Sequence, residues 1–339
     1  MRYRTLGRTG IKVSEIGFGC WTMGGPNWST INGAPIGWAE VNEDEVLAGI
    51  KAGLDAGVNH WDNADIYGNG RAERMLGSML RKLGVKRETQ VIATKVGHFR
   101  GTAPYAYDPR HIRNQCEQSL RNLGVDYIDL YYFHHGTYVG PGYDGRPHDY
   151  LHEAAGTMHE LVKEGKVRAV GQSAYTVEEF ERAAPVLKPD VLQNKANLRY
   201  DGFIREDSPM QRLMDEHGCT FIAFGPLDQG ILLDKFDPDN PPKFGPGEAR
   251  ANRKDFNPQT LREVRERLAK IKARFGRPGT PDVETLSSVA LRWVLSHRNV
   301  SGVIPGFRNE QQARANLRAA TDPPMTPEEA EFCRALFRE

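Results

Sequence analysis

The stretch VLAGIKAGLDAGVNHWD, residues 46–62, contains the alternation that decides the fold. Its first part carries apolar residues three and four positions apart, which is the spacing of one helix face. Gly57 stands where a glycine commonly ends a helix, and a short run from Val58 to Asp62 follows with the length of a buried strand. The stretch therefore predicts a helix that leads directly into a strand.

The same alternation continues along the chain. Strands are predicted at residues 15–19, 58–62, 90–95, 127–133, 167–171, 190–194, 220–224 and 300–304. Helix starts are marked by Asp108 before a proline, by Thr176 three residues before Glu179, and by Ser208 before a proline. Eight strands that alternate with helices predict an α/β fold, the (β/α)8 or TIM barrel, as a single domain over residues 1–339. Two short runs around the turn at residues 7–10 predict a β-hairpin before the barrel.

Composition excludes several classes of function. The chain has 45 basic and 44 acidic residues and a net charge of +1, so it has no electrostatic footprint for nucleic acid or an anionic membrane. Its four cysteines are scattered without a CxxC spacing, which argues against a disulfide framework or a zinc knuckle. The N-terminus lacks an apolar signal core, and no run of eighteen apolar residues occurs. We predict a cytoplasmic protein, and no pattern indicates its oligomeric state.

Three segments are longer than a minimal barrel requires, at residues 21–41, 135–150 and 234–257. Loops of this length in a compact domain usually cover a site or are disordered. All three follow predicted strands and therefore belong at the C-terminal face, where barrels of this type have their active sites.

Four polar residues lie at the ends of adjacent predicted strands. Asp62 ends the second strand, Tyr67 follows it, Lys95 ends the third and His134 follows the fourth. Taken singly, each has an ordinary structural role in capping, packing or solvation. Together they suit proton delivery to a carbonyl oxygen: an ammonium lowers the pKa of a nearby phenol, a carboxylate orients the ammonium, and an imidazole donates a hydrogen bond. Their common position on one face favours the catalytic interpretation.

The chain resembles the aldo-keto reductases over nearly its full length. Residues 3–10, 123–130 and 304–306 are similar to family segments, and the family's catalytic tetrad maps onto Asp62, Tyr67, Lys95 and His134. Asn63 stands where the family usually has threonine. The resemblance implies an NADPH-dependent reduction of an aldehyde or ketone, with Tyr67 as general acid and without a metal.

The resemblance also implies where NADPH would lie, across the barrel mouth. The expected cofactor contacts are Gly19, Cys20, Trp21, Asp62, Ser173, Gln193, Phe224, Gly225, Pro226, Leu227, Gly230, Gly306, Arg308, Gln312 and Asn316. Arg308 would meet the 2′-phosphate, because a guanidinium suits a phosphate better than a ribose hydroxyl. Ala174 and Ala315 replace the family's usual asparagine and glutamate, and Arg250 is a candidate diphosphate clamp or a solvated cation.

Substrate identity is the least determined property. Trp21, Trp28, Trp38 and His135 are candidate substrate contacts, and this mixture of aromatic and polar loop residues favours a sugar-derived or other polar carbonyl. Mutual packing of these loop aromatics is the alternative. A Rossmann dehydrogenase is disfavoured because Thr22 stands in place of the third glycine of its motif. An NADP(H)-binding regulatory subunit with little turnover remains the second candidate function.

Overall fold

The computed structural model describes residues 1–29, 32–99 and 101–338. Its strands are β1 (Tyr3–Thr5), β2 (Lys12–Ser14), β3 (Phe18–Gly19), β4 (His60–Asp62), β5 (Val91–Val96), β6 (Ile128–Phe133), β7 (Val139–Pro141), β8 (Pro147–Asp149), β9 (Val167–Ser173), β10 (Val191–Lys195), β11 (Thr220–Phe224) and β12 (Val300–Ile304). Its helices are α1 (Glu43–Asp55), α2 (Arg71–Lys82), α3 (Pro109–Leu123), α4 (Leu151–Lys163), α5 (Val177–Leu187), α6 (Pro209–His217), α7 (Pro258–Phe275), α8 (Asp282–Leu295), α9 (Glu310–Thr321) and α10 (Pro327–Phe337).

The main sheet is the predicted barrel. Its eight strands pair in parallel in the order β12-β11-β10-β9-β6-β5-β4-β3. The two edge strands also meet, since the Gly17 amide donates to the Val303 carbonyl at 2.9 Å and the Gly19 amide to the Pro305 carbonyl at 3.1 Å. The first predicted strand, 15–19, is shorter than expected because its early residues join the sheet only through such single bridges.

The predicted β-hairpin is present and closes the bottom of the barrel. Strands β1 and β2 pair antiparallel. Leu6, Ile11 and Val13 from this hairpin are buried in one apolar cluster with inward residues of the barrel strands. The hairpin therefore supplies the floor, and the C-terminal ends of the strands remain as the accessible mouth.

Local caps place the helices as predicted. The Asp108 carboxylate accepts from the amides of Arg110 and His111 at the start of α3. Thr176 and Glu179 form a reciprocal capping box at the start of α5, and Ser208 caps α6. These caps satisfy amides that lack partners inside a helix, so short polar motifs fix where each helix begins.

Two features were missed by the sequence analysis. The loop at residues 135–150 contains the small antiparallel pair β7 and β8, and a capping box at Thr326 and Glu329 starts a last helix, α10. The sequence analysis did not predict the β7–β8 pair because these exposed strands do not alternate apolar and polar residues. That alternation is the signal on which strand prediction depends. Within the described residues, no helix has the length and apolarity needed to cross a membrane.

The interior of the barrel contains a buried histidine that predicts acid sensitivity. His60 is 0% exposed, and in the described part of the chain neither ring nitrogen has a hydrogen-bond partner. Gly17 makes room for it, since an added Cβ there would lie 2.7 Å from His60 Nδ1. Burial lowers the pKa of His60 from 6.5 to about 4. Between these values the unfolded chain binds the proton and the folded chain does not, so stability is lost as pH falls.

We expect His60 alone to lower the free energy of unfolding by about 2 kcal/mol between pH 7 and pH 5. The measurement is urea denaturation at both pH values for the wild type and for His60→Asn. The quantity compared is the change in the free energy of unfolding between pH 7 and pH 5 within each protein. The packing effect of the substitution is the same at both pH values, and the other histidines contribute equally in both proteins, so both cancel from the comparison. An identical loss of stability in both proteins would contradict this assignment.

Candidate active site

Adjacent strands bring Asp62, Tyr67 and Lys95 together at the mouth. Asp62 ends β4 and Lys95 lies near the end of the neighbouring β5. The Lys95 ammonium forms an ion pair with the Asp62 carboxylate, donates to the Asn63 carbonyl at 2.7 Å and donates to the Tyr67 hydroxyl at 3.4 Å. Lys95 and Asp62 are each 1% exposed, so this pair is removed from solvent.

Burial sets the protonation of Tyr67. It raises the pKa of Tyr67 to about 12, and the nearby Lys95 ammonium offsets only part of that rise. The expectation of a lowered pKa is therefore wrong for the net shift, although the effect of the ammonium has the expected direction. Burial also acts to lower the pKa of Lys95, but the Asp62 carboxylate outweighs it and the net pKa is raised. The site thus holds a neutral phenol beside a charged ammonium.

His134 completes the predicted set. It follows β6, its amide donates to the Val96 carbonyl at 2.9 Å, and its ring centroid lies 5.8 Å from that of Tyr67. Burial, and after it the charges of His98 and Lys95, keeps the pKa of His134 well below its usual value. The imidazole is therefore neutral and offers one N–H donor at the mouth.

The tryptophans of the first long loop do not form one platform. Trp21 packs edge-on against Trp38 with ring centroids 5.0 Å apart and lies 6.3 Å from the Tyr67 ring. Trp28 is instead 48% exposed. The Arg250 guanidinium stacks over Trp38 at 4.3 Å, pairs with a glutamate, and is 9% exposed. The solvated alternative for Arg250 is therefore wrong, and Trp21 is the tryptophan nearest the tetrad phenol.

The two histidines next to His134 have different surroundings. His135 is 8% exposed, its Nε2 bonds the Gly97 carbonyl at 2.9 Å, and its Nδ1 accepts from the Thr137 amide at 3.2 Å. Its ring nitrogens are thus already engaged with the backbone. His98 is only partly buried, with its ring centroid 4.6 Å from that of His134. Sequence reasoning missed His98, although its place three residues after Lys95 at a strand end was a usable signal.

One of the expected nicotinamide contacts, Gln193, touches the tetrad. Ser173 and Gln193 are aligned partners on β9 and β10, and the Gln193 amide donates to the second Asp62 oxygen at 2.7 Å. Phe224 ends β11 and is partly buried. At Ala174, where the family commonly has asparagine, the carbonyl accepts a hydrogen bond from the Asn194 amide. Gln193 therefore borders the Asp62 carboxylate, and Ser173 is its neighbour in the sheet.

The first strand contributes mainly backbone. An added Cβ on Gly19 would lie 2.8 Å from the Ile304 carbonyl oxygen, so glycine permits β3 to approach β12 closely. Cys20 is fully buried, and burial raises the pKa of its thiol, which keeps it protonated and unreactive. Thr22 donates to the Phe307 carbonyl at 2.5 Å and ties this loop to the segment that follows β12.

The loop after β11 has an unusual conformation that buried ion pairs support. Gly225, Asp228, Gln229 and Gly230 all have positive φ, while Pro226 and Leu227 are buried. A residue other than glycine is strained in this region of φ. The Asp228 carboxylate, which is 1% exposed, contacts Arg199 at 2.5 Å, Arg253 at 2.9 Å and Lys195 at 3.3 Å. These contacts stabilise the loop.

Three cations gather where the cofactor phosphates are expected. An added Cβ on Gly230 would lie 2.6 Å from Lys235 Cε, so the lysine side chain lies across this loop. Although part of Lys235 is exposed, burial and then the charges of Arg250 and Arg308 lower the pKa of its ammonium. Cations that are close enough to oppose one another's charge suit an anionic ligand. Lys235 was missed by sequence reasoning because its sequence neighbours gave no sign of this approach.

The start of α9 is held by its own side chains. Gln312 Oε1 accepts from the Arg308 amide at 3.0 Å, and the Arg308 guanidinium donates to the Glu40 carbonyl at 2.7 Å. Asn316 is 3% exposed; its amide donates to the Gly306 carbonyl at 3.2 Å and accepts from a serine hydroxyl at 3.1 Å. Ala315 beside it is buried. Arg308 therefore projects toward the mouth loops, whereas Asn316 already has protein partners.

The donor set fits a dinucleotide. The cations Lys235, Arg250 and Arg308 can receive phosphates, since only Arg250 is paired with a glutamate among the described residues. Gln193 beside Asp62 can receive a carboxamide. Among residues 1–29, 32–99 and 101–338, no group of three or more His, Cys, Asp or Glu side chains is placed to hold a metal ion.

Comparisons with known proteins agree with this geometry. The model of the aldo/keto reductase family matches residues 15–337. The aldo-keto reductase str7 of Strobilurus tenacellus is 31% identical, over 96% of this chain and 90% of that protein. A probable voltage-gated potassium channel subunit beta of Oryza sativa subsp. japonica is 29% identical, over 100% of this chain and 97% of that protein. The solved glycerol dehydrogenase AKR11B4 of Gluconobacter oxydans shares the fold, with a TM-score of 0.76 and 23% identity over 98% of this chain and 94% of that one.

Proposed function

Because this chain belongs to the aldo/keto reductase family, we propose that it is an NADPH-dependent reductase that converts an aldehyde or ketone to an alcohol. The observation that carries the proposal is the buried Lys95 ammonium, which contacts Asp62 and Tyr67 at once. Isolated buried charges are unfavourable, so an ion pair aimed at a phenol is best explained by chemistry at that phenol. The direct test is oxidation of NADPH by the wild-type protein with a panel of aldehydes, and absence of turnover on the whole panel would refute it.

The bound nicotinamide would supply the hydride that reaches the carbonyl carbon. Tyr67 donates the proton to the carbonyl oxygen, and its pKa of about 12 keeps it protonated at neutral pH. An alkoxide is more basic than a phenolate, so this transfer is downhill. Lys95 stabilises the phenolate as it forms, and Asp62 keeps Lys95 charged and oriented. The neutral His134 donates its N–H to the carbonyl oxygen and fixes the carbonyl in place.

The preference for NADPH over NADH is proposed to depend on Arg308. Beyond the effect of burial, the charges of Arg250 and Arg308 lower the pKa of Lys235, and the charge of Arg308 acts in the same direction on Arg250. This closeness of three cations supports a phosphate at this place. We expect Arg308→Ala to weaken NADPH binding about tenfold, the effect of one charge-assisted hydrogen bond, and to leave NADH binding unchanged. Fluorescence titration with both cofactors measures the two dissociation constants.

A matched control lies on the same helix. Arg314 of α9 is exposed and pairs with Glu310 at 2.6 Å, as an ordinary surface ion pair. Arg314→Ala should change neither dissociation constant. Equal weakening of NADPH and NADH by Arg308→Ala would show that Arg308 does not recognise the 2′-phosphate.

A regulatory subunit that binds NADP(H) with little turnover is the second candidate, and the rice potassium channel subunit relative favours it. It predicts tight NADPH binding without aldehyde-dependent oxidation. The complete set of Asp62, Tyr67, Lys95 and His134 supports the reductase, because a protein that only binds the cofactor has no need for a buried acid-base network.

A further inference from the structure

The mouth of the barrel has two unlike sides around Tyr67. In strand order, the loop after β3 brings Trp21 to one side of the phenol. The loops after β5, β6 and β9 bring His98, His134 and Tyr175 to the other side. A carbonyl held at Tyr67 and His134 would therefore have one substituent facing an indole and the other facing polar rings.

Among the described residues, the ring of His98 makes only one hydrogen bond. Its ring centroid is 4.6 Å from that of His134, and its Nε2 lies 3.4 Å from the Tyr175 hydroxyl, a long and weak hydrogen bond. Tyr175 is 61% exposed, so its hydroxyl can turn to a ligand. His135 contrasts with both, since backbone groups occupy its two ring nitrogens.

The charge state of His98 limits what it can bind. Burial, and after it the charges of His135 and Lys95, lowers the pKa of His98 to about 4. The ring is neutral at physiological pH, with one nitrogen that donates and one that accepts. Such a ring matches an alcohol, which also donates and accepts, better than it matches a carboxylate or a phosphate, which only accept.

We propose that His98 and Tyr175 form a subsite for a hydroxyl group on the carbon next to the reacting carbonyl, so that 2-hydroxy aldehydes and 2-hydroxy ketones are the preferred substrates. The His134 imidazole then contacts the carbonyl oxygen, and the His98 imidazole contacts the hydroxyl oxygen on the adjacent carbon. This inference rests on the proposed reductase function, in which His134 contacts the carbonyl oxygen. His98 replaces His135 as the histidine assigned to the substrate.

The test compares two aldehydes of equal chain length, 2-hydroxypropanal and propanal, with NADPH as reductant. We expect the wild type to prefer 2-hydroxypropanal in kcat/KM. His98→Phe keeps a ring but loses both nitrogens, and Tyr175→Phe loses only the hydroxyl. Each should lower kcat/KM for 2-hydroxypropanal about three- to tenfold, mainly through KM, and leave propanal within about twofold. His98→Gln, which keeps a donor and an acceptor, should restore part of the preference.

The outcomes separate the subsite from the reaction. Equal losses on both aldehydes in His98→Phe, or no loss on either, would overturn the subsite while leaving the reductase intact. A wild-type protein with equal kcat/KM for the two aldehydes would also overturn the subsite and leave the reductase proposal intact. If the wild type oxidised NADPH with neither aldehyde, nor with the wider panel, the reductase proposal and the subsite would fall together.

Discussion

Tyr67→Phe is expected to lower kcat for aldehyde reduction by about 10²- to 10⁴-fold, the usual contribution of a positioned general acid. The phenol is the only group of the tetrad that is both neutral at physiological pH and able to release a proton to an alkoxide, because its pKa is about 12. In contrast, burial keeps the pKa of His134 well below its usual value, so its ring has no extra proton to give at physiological pH and serves as a hydrogen-bond donor. Steady-state NADPH oxidation at saturating aldehyde measures the effect.

The fold should tolerate this substitution. Within the described part of the chain, the Tyr67 hydroxyl makes one long hydrogen bond, to Lys95 at 3.4 Å. A phenylalanine ring keeps the packing against Trp21 and His134. NADPH affinity and thermal stability should therefore stay near wild type. Tyr3→Phe is the matched control, because it removes a hydroxyl that bonds the Gly57 carbonyl at the far end of the barrel. A Tyr67→Phe enzyme with wild-type kcat would refute the general-acid role.

The fold could be predicted because its signals are local. The predicted barrel strands are short, mainly apolar runs, and each cap needs only a few neighbouring residues, as at Asp108, Thr176 and Ser208. The meeting of Asp62 and Lys95 follows from the same logic, since parallel neighbours in a barrel end at the same face. The sequence therefore predicted that Asp62 and Lys95, more than thirty positions apart, lie at the same face.

Properties that depend on tertiary burial could not be predicted in this way. The net rise in the pKa of Tyr67 reflects how far the folded chain removes the phenol from water, which no sequence motif states. The approach of Lys95 was readable from strand order, whereas that of Lys235 to Gly230 arises from the path of an irregular loop. His135 drew attention as a loop histidine, yet the backbone occupies its ring and leaves His98 beside the mouth.

Lys95→Met is expected to affect both activity and stability. It removes the charge that stabilises the phenolate, so kcat should fall by about a hundredfold or more. It also leaves the Asp62 carboxylate, 1% exposed, with the Gln193 amide at 2.7 Å and without its cation. Breaking a buried pair by removing one partner costs about 3–5 kcal/mol, because the remaining charge is uncompensated. Urea denaturation and steady-state kinetics measure the two losses.

A second substitution separates these losses. Adding Asp62→Asn to Lys95→Met removes the stranded charge, and the new amide can still bond Gln193, so much of the lost stability should return. Activity should stay low, because nothing then stabilises the Tyr67 phenolate. If kcat recovered together with stability, Lys95 would act only by maintaining the fold. If stability did not recover, the buried charge on Asp62 would not be the source of the loss in Lys95→Met.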